Sequence, residues 1–295
     1  MASIVLLGLL SKPVTLMAHP ASGIVVSRTG EIFITDVRRG VIKIDSEGKL
    51  STIDREGYHW LALDSSGAFS KLDFSQLSNL HGKIQHRGST GALPALITAS
   101  DSAVAISSAG ELYFVCDGQM RPGDSQIARI DRQGRIALLS PELSGLSTKL
   151  GGIRDLAIGP DGSVYASYAQ AVVKVSPNGK IASIVDATHI SDCERNPPSI
   201  KQTPFLRGIA VDVNGVVYVA ATGCRRVISI RPDSTVQIVS RTEAPWSPSG
   251  VAVHEGAVYV LEHVNGNSDK DEDWPPRVRK IDPQGRRTVL LDLSQ

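Results

Sequence analysis

The chain has 295 residues, 41% hydrophobic and 21% charged, an ordinary balance for a soluble globular protein. Lys+Arg 31 against Asp+Glu 30 leaves a formal charge of +1, too small a field to draw the protein to nucleic acid or to an anionic membrane. Three cysteines are too few, and odd in number, for a disulfide framework.

The first apolar stretch, Ile4–Leu10, covers seven residues. A bilayer span needs about 20, and no basic residue precedes Lys12 to make a signal-peptide n-region. Residues 1–18 therefore read as an N-terminal extension or extra strand. No later run approaches membrane length, and the compartment stays unassigned, an extracytoplasmic one included.

From residue 19 onward one phrase recurs. An alternating apolar strand enters a Gly-centred turn and leaves in a second strand with an aromatic at a fixed step. The copies are Gly23–Phe33, Trp60–Phe69, Ala103–Tyr113, Asp155–Tyr165, Gly208–Tyr218 and Gly250–Tyr259. Their turn glycines, Gly30, Gly67, Gly110, Gly162, Gly215 and Gly256, fall 37 to 53 residues apart. A four-stranded propeller blade takes about 40–45 residues. A second hairpin follows most copies, turning at Ser46–Gly48, Arg132–Gly134, Pro177–Gly179, Pro232–Asp233 and Pro283–Gly285. In copy two, Lys83–Arg87 and Ala95–Ala99 are the expected outer strands, with the second strand ending at Asp73. The prediction is an all-β, six-bladed β-propeller with four-stranded antiparallel blades. Its single domain covers 19–295, with blades near 19–55, 56–99, 100–141, 152–187, 205–241 and 247–293. A lone sheet of four short strands has two apolar faces to hide, and radial packing buries both. With aromatics at 5%, Val, Ile, Leu and Ala are expected to fill the layers.

Aligning the copies places one residue per blade just before the innermost strand: Ser22, His59, Ser102, Arg154, Arg207 and Ser249. Beside them fall Trp60 and Asp155, and second strands end near Tyr168 and Glu262. In a propeller these positions ring the mouth of the central channel. His59, Asp155 and Arg207 are the candidate catalytic groups. His59, Trp60, Arg154, Asp155, Arg207, Tyr168 and Glu262 are the candidate ligand-binding set. A guanidinium fork suits carboxylate or phosphate. Equally, Arg and Asp could pair with each other and seal the channel.

The stretches His19–Asp36 and Arg207–Ala220 resemble the NHL repeat, and both are similar to blades of the SMP-30/gluconolactonase/LRE-like family. The resemblance covers residues 19–293 and implies the propeller fold. It also implies metal-dependent lactonases, lyases or interaction modules as relatives. The lactonase pattern uses an early Glu and later Asn and Asp to hold a divalent cation. Here those positions read His19–Ser22, Arg154 and Arg207, and guanidinium repels a cation. No cofactor is thus assigned; calcium or zinc is what the resemblance implies, with its ligands replaced. For a zinc-bound lyase only His59, with His263 on a nearby loop, is at the right level.

Weaker signals complete the chain. Asp269, Asp271 and Asp273 have calcium-loop spacing, but Trp274 and Lys280 stand where Gly and Glu are needed, so a solvated loop is expected. The connections Ser75–Ala99 and Asp186–Phe205 are the longest, and the second is placed to lie over the mouth. Cys193 and Cys224 could then meet as a disulfide, which implies an oxidising compartment, or remain unrelated thiols. No P-loop, dinucleotide fingerprint, GxSxG, HExxH or CxxC occurs. Two readings stand. One is a ligand-binding or interaction propeller holding a small polar or anionic molecule, or a protein partner. The other is a hydrolase or lyase with an atypical active site.

Overall fold

The computed structural model describes residues 20–65, 84–87, 95–117, 125–139, 143, 146, 150, 152–186, 189–190, 193, 204–264 and 274–294. The expected N-terminal strand and the acidic loop at 265–273 lie outside them, as does most of the 187–203 connection.

Six sheets follow one another along the chain. Blade one comprises β1 (Ile24–Val26), β2 (Ile32–Asp36), β3 (Gly40–Ile44) and β4 (Leu50–Asp54). Blade two shows β5 (Trp60–Asp64), β6 (Ile84–Arg87) and β7 (Ala95–Ala99). Blade three is β8 (Val104–Ile106), β9 (Leu112–Asp117), β10 (Ser125–Ile130) and β11 (Ile136–Leu138). Blade four is β12 (Ile153–Ile158), β13 (Val164–Tyr168), β14 (Ala171–Val175) and β15 (Ile181–Asp186). Blade five is β16 (Leu206–Val211), β17 (Val217–Ala221), β18 (Arg226–Ile230) and β19 (Val236–Arg241). Blade six is β20 (Trp246–His254), β21 (Ala257–Val264), β22 (Pro276–Ile281) and β23 (Arg287–Asp292). Five sheets keep sequential order across four antiparallel strands.

Blade two departs from expectation. Its order is β5-β7-β6, so Ala95–Ala99 lies second, against the innermost strand, instead of outside. The physical reason is composition. All five residues of β7 are buried, and its apolar side chains need cover on both faces, which an inner position supplies. The strand expected to end at Asp73 lies outside the described residues.

The innermost strands β1, β5, β8, β12, β16 and β20 contact one another in succession, and β20 returns to β1. The ring is therefore closed. Each seam between neighbouring blades has its own apolar cluster. Phe33, Tyr58 and Leu96 join blades one and two; Ile97, Phe114 and Ala128 join two and three. Tyr113, Leu156 and Val173 join three and four, and Tyr165, Ile209 and Ile228 join four and five. Val227, Val251 and Val260 join five and six. Ile24, Ile34, Ile42, Tyr259 and Leu261 join six back to one. Blade six holds its four strands in one stretch, so this last seam closes by face packing. Isolated sheets would leave these faces in water, and their burial at about 25 cal/mol per Å² is what favours the ring.

The repeated aromatic has a specific task. Phe33, Tyr113, Tyr165 and Tyr259 are buried in the seams. Each sits opposite a cation on the third strand: Phe33 with Lys43, Tyr113 with Arg129, Tyr165 with Lys174 and Tyr259 with Lys280. Lys174 and Lys280 lie 5.3 and 5.5 Å from their ring centroids, in cation–π range. The outer turns are equally legible. Asp45, Asp131 and Asp282 each accept two backbone N–H groups of their own turn. The glycines that end those turns, Gly48, Gly134 and Gly285, have positive φ, which a Cβ disfavours.

Candidate functional site

At one end of the ring the innermost strands do not simply stop. Register shifts interrupt the pairing between Ile153 and Asp155, Leu206 and Ile209, and Pro248 and Gly250. A bulge at this level recurs in blades four, five and six, and bulges redirect side chains. The residues so redirected include Arg154, Arg207 and Ser249, the aligned positions of those blades. Here the strands also come closest together. A Cβ on Gly250 would lie 2.2 Å from the Ser22 carbonyl oxygen, and one on Gly208 would lie 2.5 Å from Gly250 Cα. Glycine is what allows that approach.

Blades one and two are stitched across the same end. The N–H groups of Ser22 and Gly23 both donate to the His59 carbonyl at 2.9 Å, and His59 N–H donates to Ala99 O at 3.1 Å. His59 Nδ1 is 2.8 Å from the Ser100 carbonyl. A carbonyl only accepts, so Nδ1 carries the proton. The His59 and Trp60 ring centroids are 5.4 Å apart. The Trp60 indole reaches past blade three and donates to the Arg154 carbonyl at 2.8 Å.

Arg154 is half-buried, and burial lowers its pKa. Its guanidinium carbon lies 5.2 Å from the Phe205 ring centroid. Among the described residues it has no carboxylate partner, and its buried Nε has no hydrogen-bond acceptor. Arg207 is buried and donates from Nη2 to the Pro20 carbonyl. Burial, together with the charge of Arg154 and against the pull of Asp155, lowers its pKa to about 10. Between them on the chain, Asp155 accepts from Leu156 N–H (2.9 Å) and, across the seam, from Ile209 N–H (3.2 Å). Burial outweighs these bonds and the Arg207 charge, and pushes the carboxyl up to about 7.

Asp155 also lines the central cavity, about 360 Å³, which all six innermost strands enclose. Arg28, Ser65 and His254 line it as well.

The structure thus gathers His59, Trp60, Arg154, Asp155 and Arg207 through a chain of contacts. Tyr168 stands opposite Ile153 in the register, its ring wholly buried in the layer between blades three and four. Glu262 is engaged within blade six and its seam. It accepts from Arg277 (Nε at 2.8 Å, Nη2 at 2.7 Å), from Arg279, and from the Thr242 hydroxyl at 2.8 Å.

Three features go beyond what the sequence decided. Phe205, which precedes β16, sits beneath the Arg154 guanidinium in a left-handed backbone conformation with φ of 42°. Its only signal is its place two residues before Arg207. Second, Cys193 and Cys224 are joined as a disulfide, with Cα atoms 4.8 Å apart, one of the two alternatives the sequence left open. Third, His263 is not on a loop but inside β21, because its neighbours continue the apolar alternation of that strand. It is buried, and its Nδ1 is 2.9 Å from Ser249 Oγ. Ser249 also donates to the Ala21 carbonyl at 2.7 Å. Burial, then the nearby charges of Arg207 and Arg39, lowers the His263 pKa to about 3, so this imidazole is neutral.

Among the described residues, no group of three or more His, Cys, Asp or Glu could hold a metal ion. The donor set agrees with that: guanidinium groups only donate, and each Asp155 oxygen already accepts a backbone N–H.

No protein-family profile matches the sequence, and no curated protein matches it. Solved structures do match in shape. The calcium-binding protein regucalcin of Agrobacterium tumefaciens aligns with a TM-score of 0.55 at 14% identity, covering 86% of each chain. A gluconolactonase from Xanthomonas campestris aligns at 0.54 with 12% identity, over 82% of this chain and 83% of its own. Virginiamycin B lyase from Staphylococcus aureus aligns at 0.52 with 13% identity, over 92% and 83%. The chain shares the six-bladed propeller fold of these proteins. At such identity the likeness concerns fold, and the chemistry must be argued from the site.

Proposed function

We propose that this propeller binds a small anionic molecule at the end of the channel where Arg154 and Arg207 meet. The observation that carries the reading is the Arg154 guanidinium, half-buried and, among the described residues, without a carboxylate partner beside a second buried arginine. Two like charges held together out of water are unfavourable on their own. An anion beside them relieves the repulsion, and the Arg154 guanidinium suits a carboxylate or phosphate with its paired donors. Asp155, with a pKa near neutrality, opposes this charge only in part. The backbone bulges fix both arginines on strands, which gives a rigid site.

Titration of the purified protein with inorganic phosphate, sulfate and acetate, followed by calorimetry and by the shift in Tm, tests the reading. Wild type should bind at least one of them, and Arg154→Met, which keeps the bulk of the side chain, should weaken binding at least tenfold without loss of fold. Absence of binding in wild type, or equal affinity in Arg154→Met, overturns it.

A second reading, an enzyme, rests on one feature: a carboxyl whose pKa of about 7 suits a general acid or base, on the wall of the cavity and next to a cation. Among the described residues no set that fits a divalent ion is gathered there, so no metal-assisted step is derived. Lactone hydrolysis, the activity named for the Xanthomonas neighbour, is the reaction to assay first. Turnover that is abolished in Asp155→Asn while the fold is kept would support this reading over simple binding.

A further inference from the structure

We infer that the anion taken at Arg154 carries an aromatic ring, as an aryl or heteroaryl carboxylate does. This rests on the anion-binding reading above.

Three observations point to it. Phe205 is 36% exposed, and it is the only aromatic among the large apolar side chains exposed in the described residues. The exposed ring lies against the Arg154 guanidinium, and covering it would be favourable. Phe205 also holds a positive φ, a conformation that costs a non-glycine residue roughly 1 kcal/mol or more. The surroundings impose it from several sides. Thr222 N–H donates to the Phe205 carbonyl (3.2 Å), Gly223 N–H to the Pro204 carbonyl (3.0 Å), and Leu206 N–H to the Ala169 carbonyl (3.0 Å). The short helical turn Thr222–Cys224 that supplies the first two donors is itself tied down. The Thr222 hydroxyl donates to the Pro248 carbonyl at 2.7 Å, and Cys224 is bonded to Cys193.

Among the described residues the Phe205 ring belongs to none of the six seam clusters, so it adds nothing to them. What the arrangement does is set a ring beside the Arg154 guanidinium. From blade two, Trp60 is anchored by its indole N–H to the Arg154 backbone carbonyl, with the His59 ring 5.4 Å from its own, so its fluorescence reports on this end of the channel. A guanidinium can pair its edge with a carboxylate while its face lies on a ring. A bare inorganic anion would use only the edge. A carboxylate attached to a flat ring uses both, because the ring gains contact with Phe205 while the charge reaches Arg154.

The experiment compares benzoate and 2-naphthoate with acetate and inorganic phosphate by calorimetry on the full chain. Tryptophan fluorescence is recorded alongside. Wild type should bind the aryl carboxylates at least tenfold more tightly than acetate, with a fluorescence change lost in Trp60→Phe. Phe205→Leu, which keeps apolar bulk but removes the ring, should bring the ratio of benzoate to acetate affinity to within about threefold. Phe205→Tyr should restore the preference. Equal affinity for benzoate and acetate in wild type overturns the inference, as does an undiminished preference in Phe205→Leu. Phosphate binding without aryl preference would sink this inference and leave the anion site standing; no binding of any probe would sink both.

Discussion

Acid should reveal two buried groups that pull stability in opposite directions. His263, at the seam that closes the ring, has its pKa lowered from 6.5 to about 3. The unfolded chain therefore binds a proton that the folded one refuses. This contribution is fully present above pH 6.5 and is lost as pH falls towards 3. Asp155 behaves in the reverse sense, its pKa raised from 3.8 to about 7. The folded state keeps a proton that the unfolded state releases, so its contribution is present below pH 3.8 and is lost as pH rises through 7. Each amounts to one proton, about 1.4 kcal/mol per pH unit. Between pH 6.5 and 4.5 the two slopes oppose each other, and wild type should change little on their account. Asp131, Asp161, Asp233 and Asp282 are held below the usual carboxylate range and stay ionised in that window. Asp155→Asn should expose the His263 term and lose about 3 kcal/mol between pH 6.5 and 4.5. His263→Gln should expose the Asp155 term and gain up to about 3 kcal/mol over the same range, a ceiling because Asp155 faces the cavity. Urea unfolding at pH 4.5, 5.5 and 6.5 measures this directly. Profiles that run parallel for wild type and both variants would refute the assignment of these protons.

Further outcomes follow from the packing. Gly250→Ala should cost more than about 2 kcal/mol, because its Cβ meets the Ser22 backbone at 2.2 Å, where neither strand can yield. Gly285→Ala, with positive φ but open space around it, should cost only about 1 kcal/mol by the same denaturation assay. Glu262→Gln should destabilise by roughly 3–5 kcal/mol, since Arg277 and Arg279 lose the carboxylate they share, whereas Thr242→Ala should cost only about 1 kcal/mol. Reduction of Cys193–Cys224, or its replacement by two serines, should lower stability by about 2–4 kcal/mol and weaken the aryl preference, because the turn that holds Phe205 is released. An unchanged preference in the reduced protein would show that the backbone hydrogen bonds suffice.

The hairpin repeat was legible because its physics is local. A turn that needs φ > 0 demands glycine, an Asp that caps its own turn marks the outer hairpins, and alternation marks strands with covered faces. Even the fixed aromatic step is local, since it sets Tyr165 opposite Lys174 and turns the ring towards the next blade. Blade two resisted the same reading. Its strands are joined out of sequential order, and pairing partners far apart in the chain leave no periodic trace. The alignment of the repeat offered polar candidates at strand ends, yet it could not tell which of them would already be satisfied. Glu262 and Arg154 look alike as charged residues near strand ends. One is enclosed by two guanidiniums; the other has, among the described residues, no carboxylate paired with it.

What the residues fixed by themselves is the radial architecture: six similar hairpin pairs cannot hide their faces except against one another. Only the closed ring decided the chemistry. Arg154, Arg207, Trp60 and Phe205 come from three different blades, and their spacing depends on bulges and on glycine contacts between strands distant in sequence. Charge, burial and hydrogen-bond satisfaction are properties of that assembled neighbourhood, and no stretch of chain carries them alone.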